Sequence, residues 1–99
     1  MEESTFACQL TSPELQKRKA SIIRELKGII HSKKELDSGY SYTFSNSNAV
    51  LDLIFDFVKS ERLCCLFFNF QINVNPNSVI LKVTGKPGVK EFLVTELDL

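Results

Sequence analysis

Between positions 68 and 84 the chain has little freedom of fold. Phe68, Phe70, Ile72 and Val74 alternate with Asn69, Gln71 and Asn73, the two-residue period of a strand with one apolar and one polar face. Asn75-Pro76-Asn77-Ser78 turns the chain, and Val79 to Thr84 returns with Val79, Leu81 and Val83 on one side. Such a hairpin commits the chain to an antiparallel sheet. A second hairpin is expected upstream, from Lys33 to Leu36, through Asp37-Ser38-Gly39, to Tyr40–Phe44. There Gly39 is expected to supply the positive φ of a tight turn. Tyr40, Tyr42 and Phe44 face one side, and Ser41, Thr43 and Ser45 the other.

Helices separate these hairpins. Ser12 caps the first, Pro13 suits its opening position because it has no amide hydrogen to leave unpaired, and Glu14 complements the positive dipole end. Leu15, Ile22, Ile23, Leu26, Ile29 and Ile30 recur at helical spacing as its buried stripe. After the Ser45-Asn46-Ser47-Asn48 loop comes a second helix, apolar around most of its circumference, with Asp52, Asp56 and Lys59 as its polar side. A short third helix carries Val89, Phe92 and Leu93. Thr5-Phe6-Ala7-Cys8-Gln9-Leu10 alternates enough to predict an opening strand. The expected fold is therefore α+β, in the order β-α-ββ-α-ββ-α. It has a mainly antiparallel sheet of about five strands with the helices packed on one face. Two successive helix-plus-hairpin units suggest a structural pseudo-repeat.

Ninety-nine residues make one domain, 1–99. Formal charge is zero, which removes any global field for nucleic acid or an anionic membrane. The start, Met1-Glu2-Glu3-Ser4, is acidic where a secretory signal is basic, and no apolar run reaches membrane-spanning length. Three cysteines cannot form a closed disulfide framework within one chain. These features point to a reducing, cytoplasmic setting with free thiols, without nucleic acid or membrane partners. Lys17, Arg18, Lys19, Arg24, Lys27, Lys33 and Lys34 are read as a solvated basic face, since no aromatic residue is interleaved for base stacking.

The concentrated chemistry lies in Glu61-Arg62-Leu63-Cys64-Cys65-Leu66-Phe67-Phe68, where the second helix runs into a strand. Neighbouring Cα atoms sit about 3.8 Å apart, below the usual disulfide range of roughly 4.4–6.8 Å, so Cys64 and Cys65 do not favour a mutual disulfide. The helix C-terminus and Glu61 both disfavour a thiolate, while Arg62 opposes them. A spontaneously activated nucleophile is not expected, but a soft metal can displace the protons. Cys8 completes three sulfurs if the first strand lies beside the corner. His31, the only histidine, belongs at the far end of the first helix, which argues against zinc. The competing reading is buried packing, since cysteine behaves as a small hydrophobe.

Other constellations are weaker. Gly85-Lys86-Pro87-Gly88-Val89-Lys90 lacks the spacing of a phosphate loop and reads as a turn feeding a helix. Asp52 and Asp56, one turn apart, read as a solvated helix edge rather than a cation site. No acid–base pair or hydrolytic triad is identifiable, so no catalytic residue is assigned.

Cys8-Gln9-Leu10-Thr11, Leu36-Asp37-Ser38-Gly39-Tyr40, Glu61 to Phe67 and Thr84-Gly85 through Lys90-Glu91-Phe92 together resemble a family of small uncharacterised bacterial proteins. The family's pattern runs C-x-L, L-P-x-G-Y, E-R-x-C-C-P-F and T-G-x-x-G-x-K-x-F, so the resemblance spans nearly the whole chain. The matching positions are Cys8, Glu61, Cys64 and Cys65. Leu66 stands where the pattern has proline after the cysteine pair, and Asp37 where it has proline in the turn. The resemblance implies no established activity, although some members accompany heavy-metal resistance genes.

Two functional expectations follow. The first is binding of a thiophilic metal or metalloid ion by Cys8, Cys64 and Cys65. Glu61 then orients the corner through the backbone or Arg62. The alternative is a protein-interaction or small-ligand module with structural cysteines, using the amide row Asn69, Gln71 and Asn73. A homodimer is expected in either case, because Leu63 to Phe70 and the second helix carry more apolar surface than one small sheet covers.

Overall fold

A computed structural model describes residues 13–64, 67–95 and 97–99. Its elements are α1 (Pro13–Gly28), β1 (Ser32–Leu36), β2 (Gly39–Phe44), α2 (Asn48–Cys64), β3 (Phe68–Val74), β4 (Val79–Gly85) and α3 (Val89–Thr95). The fold is α+β, with three helices and an antiparallel four-stranded sheet in the order β1-β2-β4-β3 among the described residues. The strand expected at Thr5–Leu10, which would have made the fifth, lies outside the described residues. So do the Ser12 cap and the side chain of Leu15.

Both hairpins form where alternation places them. The central pairing of β2 with β4 sets Tyr42 opposite Leu81 and Phe44 opposite Val79. The second hairpin sets Phe70 opposite Val83 and Ile72 opposite Leu81. All of these side chains share one face by strand period, and Tyr42, Phe44, Val79, Leu81 and Val83 are buried on it. Helix residues complete this core: Ile22 and Leu26 of α1, Val50, Ile54 and Phe57 of α2, and Val89 and Leu93 of α3. Ile23, Ile29 and Ile30 pack against it as partly buried neighbours.

The helices begin and end for local reasons. Ser47 caps α2, its Oγ accepting from the Val50 amide at 3.2 Å. Gly88, at φ 105°, makes the reversal into α3 that an L side chain resists.

Gly39 serves a different purpose from the one its sequence suggested. It is not among the residues with positive φ, and neither are Asp37 and Ser38. A Cβ at Gly39 would stand 1.9 Å from the Val83 carbonyl oxygen, so close packing of β2 on β4 requires the glycine. Turn chemistry does not.

Candidate thiol site

The corner is built from the end of α2. Cys64 is the last residue of that helix, one turn after Glu61. Glu61 is fully buried, and its carboxylate lies 3.7 Å from the Lys19 ammonium of α1. Arg62, expected as a partner for Glu61, is exposed. Lys19, expected on a solvated basic face, has a side chain that is only 13% exposed. No sequence signal marked it, because the pair joins two helices forty-two positions apart.

That contact fixes how the helices run. Lys19 lies early in α1 and meets the end of α2, whereas Glu25, late in α1, and Ile29, just past it, share a groove with Ala49, Val50, Asp52, Leu53 and Asp56. The helices are therefore antiparallel. The start of α1 lies at the same end of the molecule as Cys64, and His31 at the other. This arrangement also sets the positive dipole end of α1 near the negative end of α2.

An aromatic wall stands beside the corner. Phe67 meets Phe68 at 4.9 Å and Phe92 at 5.1 Å between ring centroids, and Phe68 meets Phe70 at 5.7 Å. Phe57 of α2 meets Phe70 edge-on at 6.1 Å. These rings pack the start of β3 against α2 and α3.

Of the expected site residues, Glu61, Arg62 and the backbone of Cys64 are described, whereas Cys8 and Cys65 lie outside the described residues. Convergence of the three sulfurs is thus not placed by the described structure. Among the described residues, no group of three or more His, Cys, Asp or Glu side chains is arranged to hold a metal ion. Asp52 and Asp56 line the open α1–α2 groove of about 610 Å³ without forming such a group. The Gly85–Gly88 turn feeds α3 and lines a hollow of about 170 Å³ in which Lys86 and Lys90 stand beside Asp37.

Among the described residues, no helix is long and apolar enough to cross a membrane. Comparison with protein-family models, curated proteins and solved structures gives no match.

Proposed function

We propose that the protein binds a thiophilic metal or metalloid ion through Cys64 and Cys65, with Cys8 as third ligand, in a reducing cytoplasmic setting. The observation that carries this reading is the antiparallel packing of α1 and α2. Cys8 precedes Pro13 by five residues, a span of at most about 17 Å of extended chain. The start of α1 lies at the end of the molecule where α2 finishes, so a linker of that length allows Cys8 to reach the cysteine pair. The buried Glu61–Lys19 pair supports it further. Burying a carboxylate is costly unless it is paired, and the pairing of Glu61 with Lys19 holds the helix turn that leads to Cys64. Its role in this reading is to orient the corner, alongside the expected contact of Glu61 with the backbone or Arg62. The resemblance to the bacterial family, carried by Cys8, Glu61, Cys64 and Cys65, belongs to the same reading.

Titration of the reduced protein with cuprous ion, zinc and arsenite tests it. The intact chain is expected to bind cuprous ion or arsenite more tightly than Cys8→Ser, Cys64→Ser or Cys65→Ser. Equal, weak binding by all four proteins would discard the thiol site.

A second reading rests on a different observation. Asn69, Gln71 and Asn73 are all exposed along β3, as an interaction module requires. We place the protein as a homodimer on this ground and on the apolar surface beside it, with no part for nucleic acid or membrane.

A further inference from the structure

Strand β3 pairs only with β4 among the described residues, so its other edge presents unpaired backbone groups. Its seven residues, Phe68-Asn69-Phe70-Gln71-Ile72-Asn73-Val74, contain no charge, proline or glycine, the devices that ordinarily keep an edge from pairing. Apolar surface continues around this edge. Phe70 and Ile72 are only partly buried, and Val74 is 56% exposed. Above them, α1 occupies the flank of α2 that carries Ala49, Leu53 and Asp56. The opposite flank carries Leu51, Phe55 and Val58, with Phe55 47% exposed.

We propose that two copies of this chain pair through β3, antiparallel about a dyad at Gln71, joining four strands from each copy into one continuous sheet. This rests on the homodimer reading above and assigns its surface; it is independent of the thiol site. The register follows from strand period. A dyad through a residue keeps the two apolar faces together, whereas a dyad between residues sets Phe70 opposite an amide. Of the permitted registers, the one centred on Gln71 engages all seven residues. It places Phe70 opposite the partner's Ile72, Phe68 opposite the partner's Val74 and Asn69 opposite the partner's Asn73. Apolar meets apolar on the helix side, and amide meets amide on the open side. No charge is opposed. The same dyad sets the Leu51–Phe55–Val58 flanks of the two α2 helices against each other. The Thr5–Leu10 segment, the competing occupant, would bring no helix to cover Phe55. A second copy does.

Gln71 is exposed, so a charge there leaves the monomer's packing intact, yet on the dyad it faces its own copy across roughly 4.5–5.5 Å. Sedimentation of the full chain is expected to give a dimer. Gln71→Lys is expected to weaken dimerisation roughly tenfold or more. Mixing isotope-labelled Gln71→Lys with Gln71→Glu is expected to restore a one-to-one heterodimer by native mass spectrometry, which only two folded chains meeting at this residue produce. A dimer unaffected by Gln71→Lys, or no rescue by mixing, overturns the β3 surface while leaving self-association standing. A monomeric intact chain at high micromolar concentration overturns both, and is the result expected if Thr5–Leu10 occupies the edge.

Discussion

Strand β1 runs Ser32-Lys33-Lys34-Glu35-Leu36 with its first four residues exposed, while β3, at the other edge of the same sheet, carries no charge at all. The contrast extends beneath the strands. On the helix side β1 contributes Lys33 and Glu35, opposite Tyr42 and Tyr40, and the Lys33 ammonium sits 4.4 Å from the Tyr40 ring centroid. Glu35 is paired with Lys90 of α3. On the same side β3 contributes Phe70 and Ile72, backed by Phe57. One edge is closed by charge and the other rests on packing. Sheet edges invite unwanted pairing, and charged residues are a common guard against it. A guard kept at one edge and omitted at the other is the contrast on which the proposed β3 pairing rests.

The comparison predicts unequal costs of mutation. Phe57→Ala should be the most damaging, since Phe57 is fully buried and supports β3 through Phe70. A loss of about 3–5 kcal/mol in urea denaturation is expected. A loss below about 1 kcal/mol would mean that β3 does not depend on packing.

Tyr42 bears on the β1 side and should move stability the other way. Its hydroxyl is buried without a hydrogen-bond partner among the described residues. Tyr42→Phe removes an unsatisfied group and is expected to stabilise by about 1–2 kcal/mol. Burial, with a smaller contribution from Tyr40, raises the phenol above its ordinary pKa of 10.0. Because the folded value is the higher one, the folded state holds the phenol proton more tightly than the unfolded chain; stability is unaffected by this ionisation below pH 10.0 and falls as pH rises from there through the folded pKa. Denaturation above pH 10.0 should therefore weaken the intact chain more than Tyr42→Phe, and parallel curves would refute this account.

Lys33→Ala is expected to cost only about 0.5–1 kcal/mol, the scale of a surface cation–π contact. Its stronger consequence should be a greater tendency to associate through β1, read as added higher-order species in sedimentation. If association is unchanged, charge at Lys33 is not the guard.

Glu35→Gln should have the smallest effect, a slight loss that disappears in high salt because the pair is exposed. The hydrogen bond from Lys90 holds the Glu35 carboxyl below its usual value and raises the Lys90 ammonium above its own. The Glu35 contribution is present above the ordinary carboxylate range and is lost as pH falls through the lowered pKa. The Lys90 contribution is present below the ordinary ammonium range and is lost as pH rises through the raised one. A mutant matching the intact chain across both windows would show the pair to be inert.

Much of this was legible in the sequence, for one reason. Strand alternation in Phe68–Val74 and Val79–Val83 and the helical spacing of Ile22 and Leu26 are local periodicities, and a local periodicity states which face of an element is buried. The two hairpins and the α+β class follow from it. Which elements become neighbours depends on contacts between distant residues, and periodicity is silent on that. The β2–β4 pairing puts β3 and β1 at the edges and gives Gly39 its purpose against the Val83 carbonyl. The antiparallel packing of α1 on α2 turns Lys19 from a surface charge into the partner of a buried carboxylate and brings the start of α1 to the end of the molecule where α2 finishes. Sequence determined the faces because neighbours along the chain share one backbone geometry. Only the tertiary structure decided the edges and the buried ion pair, because both are set by which distant surfaces exclude water together.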